Sequence, residues 1–216
     1  MTNTRGPILV VEDIPNVLEL LEVTLRFQGY EVISAHNGQE ALEILESQTP
    51  ALIITDILMP KLDGFALVQQ LHSDPKTLSI PVIFLSATYV TPEDRAFAMS
   101  LGASRFIEKP IDTEEFLLTI AELLSQEQIT IPRPLEKPQF YTGYRARLEI
   151  KLQHKNRQIA RIERLLPTLD PDQQASFKTL YEQAINDRDE IQVELAVLKE
   201  TIKSLRVNAN DNSHPH

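Results

Sequence analysis

Ile8-Leu9-Val10-Val11-Glu12-Asp13 is a run of four apolar residues that ends on two acids. A strand that is apolar on both of its alternating faces is buried on both, as in parallel sheets covered by helices. Similar short runs return at Val32–Ser34, Leu52–Thr55, Pro81–Ser86 and Arg105–Ile107. Helical spacings fill the gaps between them. Val17, Leu18, Leu21, Leu25 and Phe27 follow Pro15, a good first-turn residue. Ala41, Leu42 and Leu45 come next, then Phe65, Leu67, Val68 and Leu71. A fourth helix opens at Thr91-Pro92-Glu93-Asp94, with a cap, a proline and first-turn acids. A fifth opens at Asp112, with Glu115 three residues on as in a capping box. The order is (βα)5, which predicts an α/β, doubly wound parallel sheet over residues 1–125.

Such sheets carry their sites at the carboxyl ends of the strands. Glu12 and Asp13 end the first strand and Asp56 the third, so three carboxylates emerge at one edge. Close carboxylates repel, and magnesium, a hard cation that takes oxygen ligands, is the natural remedy. Lys109 follows the fifth strand at the same edge and suits a phosphoryl oxygen; Ser86 ends the fourth and offers a hydroxyl. Aspartate is an established covalent nucleophile toward phosphoryl groups.

Four stretches then carry a family likeness: Ile8-Leu9-Val10-Val11-Glu12-Asp13, Asp56-Ile57-Leu58-Met59-Pro60-Lys61-Leu62-Asp63-Gly64, Leu85-Ser86-Ala87 and Phe106-Ile107-Glu108-Lys109-Pro110. Together they resemble the receiver domains of bacterial two-component response regulators, over nearly all of residues 7–125. The resemblance implies that Asp56 takes a phosphoryl group from a histidine kinase or phosphotransfer protein. It implies magnesium on Asp13, Asp56 and the Leu58 backbone carbonyl, with Glu12 acting mainly through water. Ser86 and Phe106 look like the switch pair, Lys109 like the phosphate-pairing lysine, and Lys109-Pro110 like a cis bond. Glu12 stands where an aspartate is commoner, Ile14 where a polar residue is frequent, and Phe106 lacks the hydroxyl of the usual tyrosine.

Composition bounds the alternatives. No cysteine is present among the 216 residues, so neither a disulfide framework nor a thiolate metal site is possible. No apolar run approaches the roughly 20 residues of a membrane span, and Met1–Arg5 lead into the first strand without a signal-peptide core. The expectation is a cytoplasmic protein. Residues 1–125 hold 7 Lys/Arg against 18 Asp/Glu, residues 126–216 hold 14 against 13. So acidic a first part repels nucleic-acid phosphates.

Prolines 132, 134 and 138 mark residues 126–138 as a linker. From 139 the pattern is helical, with one break at Pro167-Thr168-Leu169-Asp170-Pro171. Tyr141, Arg145, Leu148, Leu152, Lys155, Ile159, Ile162 and Leu166 alternate in spacings of four and three before it. Phe177, Tyr181, Ala184, Arg188, Ile191, Leu195, Leu198, Ile202 and Leu205 do so after it. Residues 139–206 therefore predict an antiparallel helical hairpin or coiled coil, and 207–216 a disordered tail. Folding back near residue 169 sets Lys151 opposite Asp187 and Arg147 near Glu190. The long seam favours a homodimer through residues 139–206, and DNA is an unlikely partner. No separate catalytic output is visible, so the chain is expected to signal rather than act as an enzyme. The rival expectation is a phosphorelay in which His154, on the first helix, takes part in phosphotransfer; a solvated polar residue is the plainer account of it.

Overall fold

The computed structural model describes residues 6–86, 92–126 and 135–211, the side chains of 172 and 205–211 excepted. The chain divides into two units, 1–135 and 136–216. In the first, β1 (Ile8–Val11), β2 (Val32–Ala35), β3 (Leu52–Asp56), β4 (Val82–Ser86) and β5 (Arg105–Glu108) form one sheet in the order β2-β1-β3-β4-β5. All four pairings are parallel. Five helices connect and follow the strands: α1 (Pro15–Phe27), α2 (Gly38–Leu45), α3 (Gly64–Ser73), α4 (Pro92–Ser100) and α5 (Thr113–Ser125). The (βα)5 expectation is met. The Thr91 cap lies outside the described residues.

Strand burial explains the near-continuous apolar runs, since β1, β3 and β4 are buried along their whole length. Side chains alternate across a strand. Ile8, Val10, Leu52, Ile54, Ile83 and Leu85 build one core with Leu21 and Leu25 of α1 and Phe116 and Ile120 of α5. Elsewhere in the core, Phe65 meets Phe84 and Phe97 edge-to-face at 5.4 and 5.1 Å. Phe27, expected in the buried stripe of α1, is instead 87% exposed. It is the last residue of the helix, and Gly29 at φ 83° turns the chain away just beyond it. The Asp112 cap forms as expected, accepting from Glu115 N.

The second unit is an antiparallel pair, α6 (Lys137–Leu165) and α7 (Pro171–Asp211), joined through a 3-10 turn at Leu166–Thr168. Residues 127–134 of the expected linker lie outside the described residues. Its end is corrected: α6 starts at Lys137, with Pro138 in the first turn, where a missing amide costs no helical hydrogen bond. The tail is corrected as well, since α7 runs on to Asp211; no Gly or Pro interrupts residues 206–211.

At the open end of α6 the buried residues are Phe140, Tyr144 and Leu148, one position off the expected Tyr141 and Arg145. Phe140 and Tyr144 stack at 5.2 Å. The register matches the expected one at the open end, where Tyr144 meets Glu194, and differs by a turn at Asp187. Asp187 takes Lys155 at 2.8 Å, and not Lys151, while Tyr144 donates to Glu194. Near the turn, Ile159, Ile162 and Ala184 form the core, flanked by Phe177 and Tyr181. Among the described residues, no helix is long and apolar enough to cross a membrane.

Candidate functional site

In the sheet order, β1 lies between β2 and β3, so the chain winds one way to β2 and the other way to β3. Such a reversal opens a crevice at the carboxyl ends of the strands. Val11 is in register with Thr55, which brings Glu12 level with Asp56. Asp56 pairs with Leu85 and Ser86 with Glu108, placing Ser86 and Lys109 at the same edge.

One ammonium ties this edge together. Lys109 Nζ donates to Glu12 Oε2 and to Asp56 Oδ1, each at 2.7 Å. The other oxygens are held by backbone: Leu58 N donates to Asp56 Oδ2 at 2.8 Å, and Ile14 N to Glu12 Oε1 at 3.3 Å. Glu12 is fully buried and Asp56 nearly so, while Asp13 is half-buried. Burial pushes the Glu12 carboxyl above its ordinary value and the Asp56 charge adds to this, against the pull of the Lys109 hydrogen bond. Burial disfavours the Lys109 ammonium too. Asp56 and the two hydrogen bonds outweigh that and hold it above its ordinary range.

The loop after β3 is shaped by close backbone packing. Gly64 N donates to Ile57 O at 3.0 Å, and a Cβ on Gly64 would lie 2.2 Å from the Asp56 carbonyl oxygen. Only glycine permits that approach. Asp63 caps α3 by accepting from Ala66 N. A second bracket joins Gly38 N to Leu62 O at 3.0 Å, where a Cβ would come within 2.6 Å. Gly38 was not singled out in the sequence; an asparagine–glycine pair at a helix start is too common to signal such a role.

Of the residues named in advance, Glu12, Asp56 and Lys109 are in direct contact, and Leu58 touches Asp56 through its amide. Ser86 is buried at the end of β4. Phe106 is buried on β5, with the Arg95 guanidinium 5.7 Å from its ring centre. Arg95 was missed, since nothing in its local sequence tells α4 to lie against that ring. Lys109-Pro110 is cis. His154 is exposed on α6 and pairs with no carboxylate among the described residues.

Among the described residues, no three or more His, Cys, Asp or Glu side chains are gathered closely enough to hold a metal. Lys109 stands between the two nearest carboxylates. The donor set nevertheless suits a hard dication. Glu12, Asp13 and Asp56 against Lys109 leave a formal charge of −2, all donors are oxygen, and Glu12 is short of positive charge where it is buried.

The sequence model of the response regulator receiver domain matches residues 8–121. A probable transcriptional regulator, ycf27, of Porphyra purpurea is 38% identical over 124 residues, 57% of this chain and 49% of that protein. The response regulator Rre1 of Synechocystis is 37% identical over 122 residues, 56% and 52%. The signal receiver domain of a histidine kinase from Syntrophus aciditrophicus superposes with a TM-score of 0.53 at 37% identity. It covers 58% of this chain and 96% of that domain. The chain spans about half the length of the curated relatives it matches.

Proposed function

Because the chain belongs to the response regulator receiver domain family through residues 8–121, we propose that Asp56 is its phosphoryl acceptor and that a histidine kinase or phosphotransfer protein is the donor. The Lys109 ammonium, 2.7 Å from both Asp56 and Glu12, carries this proposal. It is a cation fixed in advance where the transferred group brings negative charge. An Asp56 carboxylate oxygen forms the new O–P bond as the donor's N–P bond breaks, and the donor nitrogen keeps the electron pair. The Leu58 amide holds the carboxylate in place, and Lys109 then turns to a phosphoryl oxygen. Ser86 donates its hydroxyl to another, and the Phe106 ring follows inward as the switch. Asp13, Asp56 and the Leu58 carbonyl, with Glu12 through water, would hold magnesium, which would supply positive charge toward the incoming phosphoryl group.

Incubation of the full chain with a small-molecule phosphodonor and magnesium should add one phosphoryl group by intact mass. Asp56→Asn should abolish the gain, and excess chelator should suppress it. Undiminished labelling of the variant would overturn the assignment.

The hairpin is the output module in this proposal, acting by dimerisation or partner binding, and the chain signals rather than turns over a substrate. The name of the Porphyra relative, a probable transcriptional regulator, counts in part against setting DNA aside as a partner. The likeness takes in only 49% of that protein, so its output carries over no further than this.

A further inference from the structure

The hairpin was expected to dimerise through its apolar seams, but much of the α7 seam is already covered: Ile191, Leu195 and Leu198 are buried and Ile202 half-buried. A second heptad row lies beside each seam. On α6 it is Arg147, Lys151, His154, Gln158, Arg161 and Leu165; on α7 it is Leu180, Gln183, Asp187, Glu190, Glu194 and Val197. Each row sits one residue before its seam. Because the helices are antiparallel, equal offsets bring both rows out on the same flank. Asp187 and Glu194 reach Lys155 and Tyr144 from this row, which fixes where it lies.

The flank is therefore cationic along α6 and anionic along α7. Lys151, Arg161 and Glu190 pair with no opposite charge among the described residues. At the turn end it carries two exposed leucines, Leu165 at 37% and Leu180 at 52%.

We propose that this flank is a homodimer interface whose occupant is the same flank of a second copy. The proposal rests on the hairpin being the output module. A twofold axis parallel to the helices sets α6 of each copy against α7 of the other. The pairing is isologous, so both contacts form at once and the assembly closes. Each cationic row then meets an anionic row at the same level, and Leu165 meets Leu180 of the second copy. Lys155–Asp187 and Tyr144–Glu194 place Lys151 level with Glu190, so these two pair across the interface. A nucleic acid fits less well, because its phosphates would meet Asp187, Glu190 and Glu194 together with the cations.

Sedimentation equilibrium of the full chain tests this. The wild type should dimerise at tens of micromolar and dissociate as salt rises toward 1 M, where the screening length falls to about 3 Å. Lys151→Glu and Glu190→Lys should each weaken the homodimer by about tenfold, since two attractive contacts become repulsive in each. An equimolar mixture of the two single variants should recover wild-type affinity as a heterodimer, because both of its contacts are again opposite in charge. Recovery on mixing is possible only for pairing between copies. Both positions are partly or fully exposed, and circular dichroism checks that each variant keeps its helices.

Four results overturn the interface: a monomeric wild type, a dimer indifferent to both substitutions, no recovery on mixing, or a monomer that instead retards duplex DNA. None of them touches labelling of Asp56, so failure of the interface and failure of the acceptor assignment are read separately.

Discussion

Half-buried Lys109 and buried His72 show how single groups set the behaviour of the receiver. Lys109 has two carboxylates to hold, and losing it leaves Glu12 buried without its counter-charge. His72, on α3, is 4% exposed, and its Nδ1 donates to Leu101 O at 2.6 Å. That bond fixes the neutral tautomer with Nε2 as an acceptor, and Nε2 has no partner. Burial lowers the affinity of this ring for a proton, against the raising effect of the Leu101 carbonyl. The unfolded chain therefore binds the proton more readily. The stabilising contribution is present above the unfolded value of 6.5 and is lost as pH falls below it. Urea unfolding of the wild type between pH 7.5 and 5.5 should show a stability loss from this group as pH falls, with about 1.4 kcal/mol per pH unit as its upper limit. His72→Gln, which still donates to Leu101 O but does not titrate, should flatten that part of the profile; an unchanged slope would remove His72 as its source. Asp56 and Lys109 were legible in the sequence because strand ends concentrate chemistry at one edge. His72 was not, since a histidine within a helix carries no mark of being buried.

At the scale of elements, strands were easier to place than the register of the hairpin. An apolar run bounded by acids or turns defines a strand within a residue or so. Two helices joined by a short turn leave a slide of one turn undecided, because heptad seams match again after such a step. The difference is one helical turn at Asp187, and it is measurable. A double-mutant cycle on Lys155→Ala and Asp187→Ala should give a coupling of about 0.5–1 kcal/mol, as for a well-formed, partly exposed pair. The same cycle with Lys151→Ala in place of Lys155→Ala should give none. Coupling at Lys151 instead would restore the register first expected. The buried Phe140 and Tyr144 were likewise displaced by one position, because two aromatics four residues apart filled the seam in preference to Tyr141 and Arg145.

For the whole molecule, a first unit that ends at Leu135 makes a specific claim about where the receiver stops. Gln69 Nε2 donates to Leu135 O at 3.4 Å, a contact that a fragment cut at residue 125 lacks. Fragments 1–125 and 1–135 should both fold and accept a phosphoryl group. The longer should be more stable by about 0.5–1.5 kcal/mol, the usual worth of one hydrogen bond; equal melting curves would show that the added residues contribute nothing. The two-unit division was legible from the linker prolines and the charge asymmetry, whereas the return of the chain to α3 was not. The bridging lysine has a consequence for how the protein is made. Glu12 closes the first strand and Lys109 follows the last, 97 residues later. A ribosome delivers them in that order, so an emerging chain carries Glu12 without its cation until nearly the whole receiver has been synthesised. On the proposed function, competence to receive the signal is thereby tied to completion of the domain, and a truncated product that stops before Lys109 should not be labelled at Asp56.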